Sequence, residues 1–290
     1  MPKRTNNPWY SRCRSAIRSA ERFLAKADNS FPVDLNRIAA QRGVRKIEFA
    51  PLLTDGGLAV RDDGFIIYVR CDLGKGADLT ARFAEDGTGS TLPETIRRRA
   101  RFTVAHEIAH TFGYDLRRLP PVALFDPQVP TSIESLELVC NRIAGTLLLP
   151  QWWLARQLTS GDSLEPKRLS TLANKALVSR ETLTRELRRI NPEAHPEGII
   201  ACVEKQASVP VIRAISRHYR FKQLFPDAKV GASLQKLIWH PDLLAFGGEQ
   251  AAVVKTICLV GGQQRRFQFQ CEPNAAKRNV GFFLAVRALD

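Results

Sequence analysis

Two histidines, His106 and His110, stand four residues apart in the stretch RFTVAHEIAHTFGYD, and Glu107 directly follows the first. On an α-helix, residues four apart lie one turn apart on the same face, so both imidazoles can point at one ion. Glu107 would lie about 100° further round that helix, where a carboxylate can take a proton from water activated by the metal. The spacing therefore predicts a zinc site with Glu107 as general base.

The alternative is a buried helix whose histidines only satisfy local hydrogen bonds, because the HExxH pattern also arises by chance. The chain has five histidines, and its first 194 residues contain only these two. Random scatter rarely places the only two histidines of such a long segment at ligand spacing around a glutamate. This count favours the metal site.

A catalytic zinc needs a third protein ligand and an open position for water. The extended signature HExxHxxGxxH would supply a third histidine where this chain has Leu116. A carboxylate from the next predicted helix is the better candidate, either Glu137 or Glu134. Because Thr131 and Glu134 form a capping box at the start of that helix, we expect Glu137 to be the ligand. Asn141, one turn further, could accept the Nδ1 proton of a ligand histidine.

Three more side chains could act at such a site. Tyr114 and Tyr68 are candidates to stabilise the oxyanion that develops during acyl transfer. Cys71 follows the apolar strand FIIYVR, and a thiolate there could occupy the open position of the zinc as a latch. Simple packing is the alternative reading of Cys71.

The elements that must position these groups follow from periodicity. Pro93 is suitably placed to start the helix that carries the histidines, and Gly113 to end it. The run IESLELVCNRIAGTLLL predicts the next helix, ended by Pro150. Before them, RKIEFA and DGGLAVRDDGFIIYVRCD alternate with a period of two, with DGG and DDG as turn signals, and predict a small antiparallel sheet. Residues 72–92 resemble a loop.

We therefore expect an α+β chain of two domains. Residues 1–192 would form a mainly helical, zincin-like domain that includes a helical pair at 163–190. The proline-rich stretch NPEAHPEG has the composition of a linker. Apolar runs beyond it predict a mixed α/β second domain over residues 198–290.

The stretch RFTVAHEIAH, followed by ELVCN and IAGTLLLP, resembles the ImmA/IrrE family of bacterial zinc metallopeptidases, over most of residues 31–190. The resemblance implies that His106 and His110 bind zinc, that Glu107 is the general base and that Glu137 is the third ligand. Cys140 stands where the family usually has alanine. It further implies that the substrate is a helix-turn-helix transcriptional repressor, and that residues 198–290 could be a GAF-like sensor domain.

The net charge is +14, and the cationic excess is spread along the chain. Such a diffuse excess most often serves solubility. If the second domain senses a ligand, the charge indicates nucleic acid, and two stretches interleave cations with aromatic residues, RAISRHYRFKQLF and QQRRFQFQ. Such a pattern is typical of single-stranded DNA binding, whereas core aromatics with solvated arginines are the alternative. The candidate nucleic-acid contacts are Arg213, Arg217, Tyr219, Arg220, Lys222, Arg265 and Arg266.

No apolar run approaches the length of a membrane span or a signal peptide, and the six cysteines are scattered without a CxxC pair. We therefore expect a cytoplasmic protein with reduced thiols and no membrane association. The leading hypothesis is a zinc endopeptidase that cleaves a repressor in response to DNA damage or single-stranded DNA. The alternative is a non-catalytic DNA- or repressor-binding regulator with a vestigial zincin fold.

Overall fold

The computed structural model describes residues 8–26, 31–124, 133–158, 165–190, 199–206, 209–217, 230, 253–260, 263–271 and 282–288. Eight helices lie in these ranges: α1 Pro8–Lys26, α2 Leu35–Gln41, α3 Gly76–Asp86, α4 Glu94–Thr111, α5 Ile133–Leu148, α6 Gln151–Leu158, α7 Pro166–Lys175 and α8 Arg180–Leu187. The strands are β1 Val44–Ala50, β2 Gly56–Arg61, β3 Gly64–Arg70, β4 Tyr114–Asp115, β5 Val122–Ala123, β6 Ile199–Gln206, β7 Val209–Arg217, β8 Val253–Val260, β9 Gln263–Cys271 and β10 Phe282–Ala288. This composition confirms the α+β class.

Contacts divide the chain into two compact units, one comprising Met1–Pro150 with Ala176–Val178 and the other Gln151–Lys175 with Ser179–Asp290. The division differs from the predicted boundary at residue 192, because the helical pair α7 and α8 packs on the C-terminal sheet. Leu183 and Leu187 of α8 are fully buried, and α8 contacts β6 and β7. The pair therefore groups with the second unit.

The first unit is built around a three-stranded sheet in the order β1-β3-β2. β2 and β3 form the predicted antiparallel hairpin, but β1 pairs with β3 in parallel. The sheet is therefore mixed, since β3 inserts between β1 and β2 instead of following them as a meander. Alternate residues of β3, Phe65, Ile67 and Val69, are buried, as a period of two requires.

The segment 72–92, expected to be a loop, contains helix α3, so that prediction is wrong. Leu79 and Phe83, one helical turn apart, are both buried, and the Phe83 ring packs against Phe49 of β1 at 6.0 Å between centroids. Gly87 ends the helix in the left-handed conformation. The surrounding Gly and Asp residues suggested a loop, because two apolar residues alone do not predict a helix. Tertiary packing of these two residues is what stabilises the helix.

Helices α4 and α5 pack against each other, and α4 also contacts β2 and β3. α4 begins directly after Pro93, as predicted, and ends at Thr111, where Arg42 donates hydrogen bonds to both the carbonyl and the hydroxyl oxygen of Thr111. The Arg42 guanidinium also lies 4.2 Å above the Phe112 ring. The C-terminal end of α4 is thereby held in place.

The second unit contains an antiparallel five-stranded sheet in the order β7-β6-β10-β9-β8. Residues 199–203 of β6 are all buried, so both faces of this strand are covered. α8 contacts β6 and β7, and α7 contacts β10. Within residues 198–290 the described elements are the five strands β6–β10, and the helix expected around ASLQKLIW lies outside the described residues. The GAF-like fold stays a prediction.

No helix within the described ranges combines the length and the apolar character needed to cross a membrane.

Candidate metal centre

Helix α4 presents its two histidines as one pair. His106 and His110 lie one turn apart, and their Nε2 atoms are 3.1 Å from each other. Most of the α4 side chains around them are buried, including Val104, Ala105 and Ile108. The histidines are therefore fixed by a helix that cannot rotate without exposing its apolar positions.

Helix α5 brings Glu137 to the same point. Its Oε2 lies 2.9 Å from His106 Nε2, and its Oε1 lies 3.5 Å from His110 Nε2. Atoms that carry lone pairs approach this closely only with a proton or a cation between them. The structure therefore brings the two histidines and Glu137 together, as the sequence predicted.

The donor set fits a zinc ion in composition and in spacing. Tetrahedral ligands at about 2.0–2.1 Å from zinc lie about 3.3 Å from one another. The three separations observed here, 2.9, 3.1 and 3.5 Å, scatter around that value. Glu107 also lies near the histidine pair, since His106, Glu107 and His110 each have a potential ligand atom within 4.8 Å of the others.

The second nitrogen of each histidine also has a partner on α5. His106 Nδ1 lies 3.1 Å from Asn141 Oδ1, the partner predicted for a ligand histidine. His110 Nδ1 lies 3.4 Å from Cys140 Sγ, a contact that the sequence analysis did not foresee. Glu137, Cys140 and Asn141 are spaced i, i+3 and i+4, so one face of α5 supplies all three contacts.

Glu107 lies against the sheet and is buried, with 7% of its surface exposed. Burial, reinforced by the negative charge of Glu137, raises the pKa of Glu107 to about 7. A carboxyl group with this pKa can both accept and release a proton near neutrality, as a general base that later acts as an acid requires. By contrast, burial and the nearby His106 lower the pKa of His110, and Glu137 partly offsets the effect.

Gly56, the first residue of β2, allows the sheet to approach Glu107 closely. A Cβ atom at this position would lie 2.4 Å from Thr103 Cγ2 and 2.9 Å from Glu107 Oε1. No such obstacle surrounds Gly57, whose Cβ would meet nothing within 4 Å. The DGG stretch was expected only to form a turn. A Gly pair at the start of a strand is a sequence signal that another element approaches closely there.

The histidine pair opens onto a cleft of about 870 Å³ within the first unit. Residues 54–58 at the start of β2 border the cleft, as do α4 and one face of α5, and Ala16 of α1 contributes to its wall. β2 is an edge strand, so its outer backbone edge faces no neighbouring strand of this sheet. Tyr114, one of the two candidate oxyanion ligands, lines this cleft.

Tyr68 and Cys71, by contrast, do not line the cleft. The side chain of Tyr68 alternates with the buried Ile67 and Val69 of β3 and therefore points away from α4. The Sγ atom of Cys71 lies beside Gly76 at the start of α3. Neither placement supports a role at the metal centre, because Tyr68 lies on the opposite face of β3 and Cys71 follows the end of that strand.

Burial, with a smaller contribution from Asp72, raises the pKa of Cys71. A raised pKa disfavours the thiolate that a latch would require. The cysteine that the structure places beside the histidines is instead Cys140.

Several other predicted residues cannot be placed in this way. The side chain of Glu134 and the whole of Thr131 lie outside the described residues. So do Tyr219, Arg220 and Lys222, and the side chains of Arg217, Arg265 and Arg266. Arg213 is described and is exposed on β7. The nucleic-acid surface therefore stays a prediction.

Sequence reasoning also missed Arg101, the largest fully buried side chain of the described chain. Its guanidinium donates hydrogen bonds to the carbonyl oxygens of Thr88 and Val33. Burial lowers the pKa of Arg101 to about 10, an effect opposed by the charges of Asp86 and Asp34. The arginine thus ties α4, five residues before His106, to the loop after α3 and to the segment before α2.

Comparisons with known proteins identify no family. No family model matches the chain, and no curated protein matches it. A solved structure described as a Mycobacterium tuberculosis transcriptional regulator superimposes with a TM-score of 0.49 at 14% sequence identity, covering 97% of this chain and 91% of that one.

Proposed function

We propose that this protein is a zinc-dependent endopeptidase. The observation that carries the proposal is the convergence of His106 Nε2, His110 Nε2 and the Glu137 carboxylate within 3.5 Å of one another, beside an open cleft. A buried carboxyl group, Glu107, lies next to this cluster. A hydrolytic zinc site combines two imidazole ligands, one carboxylate ligand and a neighbouring base that does not bind the metal.

The chain's own groups divide the work. His106, His110 and Glu137 would hold the ion, and Asn141 fixes the orientation of the His106 ring. Zinc, when bound, supplies Lewis acidity that lowers the pKa of water and polarises a carbonyl group. Glu107 takes a proton from the attacking water as the new C–O bond forms.

Glu107 then transfers this proton to the amide nitrogen as the C–N bond breaks, which leaves one carboxylic acid and one amine. A carboxyl group whose pKa lies near 7 suits both steps. Tyr114, which lines the cleft, would donate a hydrogen bond to the carbonyl oxygen as negative charge develops on it.

The cleft can admit an extended peptide. Residues 54–58 border it, and its volume of about 870 Å³ is large enough for several side chains. The substrate class, a helix-turn-helix repressor, rests on the resemblance of RFTVAHEIAH and ELVCN to the ImmA/IrrE family. Activation by DNA damage or single-stranded DNA, through the second unit, is the further part of this proposal.

Metal analysis and one substitution test the proposal together. The purified protein should contain one equivalent of zinc, and cleavage of a proteome-derived peptide library, read by mass spectrometry, should disappear on chelation and return with zinc. Glu107→Gln should keep the zinc and lose cleavage by about 10³-fold. Glu94→Gln is the matched control, because Glu94 lies on the same helix but is exposed at 76% of its side chain.

Two results would contradict the proposal. Cleavage that persists in Glu107→Gln would exclude the assigned base. A protein that binds neither zinc nor cobalt but retains binding to DNA or to a repressor would instead support the non-catalytic regulator.

A further inference from the structure

Cys140 lies beside the second histidine at a position that neither the metal set nor the base uses. Its Sγ atom is 3.4 Å from His110 Nδ1, within the range of a hydrogen bond to sulfur. The side chain is buried, with 2% of its surface exposed. A buried polar contact of this kind constrains the ring that it touches, because no water competes for the partner.

The direction of this hydrogen bond follows from the other face of the ring. His110 Nε2 points toward His106 Nε2 and Glu137 Oε1, at 3.1 and 3.5 Å. To bind an ion there, Nε2 must carry its lone pair, so the proton of a neutral imidazole must reside on Nδ1. The Nδ1–H group then donates, and the sulfur of Cys140 accepts.

The same logic applies to His106, with a different acceptor. His106 Nδ1 lies 3.1 Å from Asn141 Oδ1, so an amide oxygen accepts there. The two histidines are therefore oriented by consecutive residues of α5, one through oxygen and one through sulfur. Sulfur is the weaker acceptor of the two, so His110 is the less firmly oriented ligand.

We propose that Cys140 is a positioning residue that fixes the tautomer and ring orientation of His110 through an Nδ1–H···Sγ hydrogen bond. The direction of this hydrogen bond and its consequence for metal binding both rest on the proposed zinc site. Partners of this kind typically change metal affinity by 10- to 100-fold when removed. Cys140 therefore sets the strength with which the chain holds its ion, without touching the ion.

Three variants separate this role from simple packing. Cys140→Ala removes the acceptor, and Cys140→Ser restores an acceptor at similar size. Cys202→Ala removes a different buried thiol, which lies in β6 of the second unit and is 3% exposed. Zinc affinity, measured by chelator competition, should fall about 10-fold in Cys140→Ala. It should stay within about threefold of the parent in Cys140→Ser and be unchanged in Cys202→Ala.

Cobalt absorption spectra exclude the competing role of a direct ligand. The cobalt-substituted protein should lack a thiolate-to-cobalt charge-transfer band, since Sγ faces Nδ1 and not Nε2. A charge-transfer band that disappears in Cys140→Ala would overturn the proposal, because the sulfur would then be a ligand.

A measurement on the zinc-loaded protein distinguishes failure of this proposal from failure of the zinc site. With ¹⁵N-labelled histidine, NMR should show His110 protonated at Nδ1, with a slowly exchanging proton that Cys140→Ala makes fast and Cys140→Ser keeps slow. Fast exchange in the parent protein with zinc bound would overturn the inference and leave the zinc site in place. A protein that binds no zinc would instead refute the proposed function, and this inference with it.

Discussion

Two polar clusters on helix α4, a buried one around Arg101 and a half-buried one around His106 and His110, differ in how their hydrogen-bonding groups are paired. Arg101, near the middle of the helix, donates to the carbonyl oxygens of Thr88 and Val33 and lies within reach of acidic side chains. Further along the helix, His106 and His110 direct their Nε2 atoms toward each other and toward Glu137. In the first cluster two donors of Arg101 meet carbonyl oxygens and its Nε has no hydrogen-bond partner, whereas lone pairs meet lone pairs in the second.

The difference indicates what each cluster is for. The Arg101 cluster finds its acceptors for Nη1 and Nη2 within the chain itself, and its removal should cost stability. The histidine cluster becomes complementary only when a cation or protons are added, and burial of Glu107 beside it raises the pKa of that carboxyl group to about 7. Polar groups whose arrangement lowers the stability of the fold are characteristic of functional sites.

The strongest test of this contrast is Arg101→Met. The change keeps much of the volume but leaves two buried carbonyl oxygens without their donor, so we expect the free energy of unfolding to fall by about 3 kcal/mol. Urea denaturation followed by circular dichroism measures the loss. Arg99→Met, at an exposed site paired with Asp55, should cost less than about 1 kcal/mol. Equal effects of the two substitutions would contradict a structural role that is special to Arg101.

Glu107→Gln, by contrast, should raise the free energy of unfolding of the metal-free protein. Because the folded state raises the pKa of this carboxyl group from 4.5 to about 7, folding binds a proton, and stability falls as the pH rises through that interval. At pH 8, with chelator present, Glu107→Gln should therefore be more stable than the parent by about 2 kcal/mol. At pH 5 the difference should shrink below about 1 kcal/mol.

Thermal or urea unfolding at both pH values measures this effect, with Glu94→Gln as the control at an exposed site of the same helix. A destabilising effect of Glu107→Gln at pH 8 would show that the buried carboxylate is well satisfied by the chain. The contrast between the two clusters would then disappear.

The smallest change in stability is expected in β2, the strand that lies against Glu107 beside the histidine cluster. Gly56→Ala places a Cβ within 2.4 Å of Thr103 and 2.9 Å of Glu107, so we expect a loss of about 1–2 kcal/mol in the free energy of unfolding. Gly57→Ala, where the same atom meets open space, should change stability by less than about 0.5 kcal/mol. Reversal of this order, measured by urea unfolding, would place β2 farther from α4 than the structure has it.

The cluster around His106 was predictable because its information is local. The i, i+4 spacing on a helix and the position of Glu137 and Asn141 on one face of the next helix follow from helical geometry alone. By contrast, the sequence could not reveal that α3 forms within residues 72–92. Its two buried apolar residues stabilise a helix only when they pack against β1, as Phe83 does against Phe49. The helical pair was likewise expected to belong to the first domain, but it packs on the C-terminal sheet.

By itself, the sequence determined the types and the order of the groups that could bind a metal, because residue identity and helical spacing are properties of the chain. Tertiary structure decided which groups meet: it placed Cys140 against His110, Gly56 against Glu107, and Tyr68 and Cys71 away from the cleft. These contacts depend on how helices and strands from distant parts of the chain pack together. Periodicity specifies which face of an element is buried but not what that face touches.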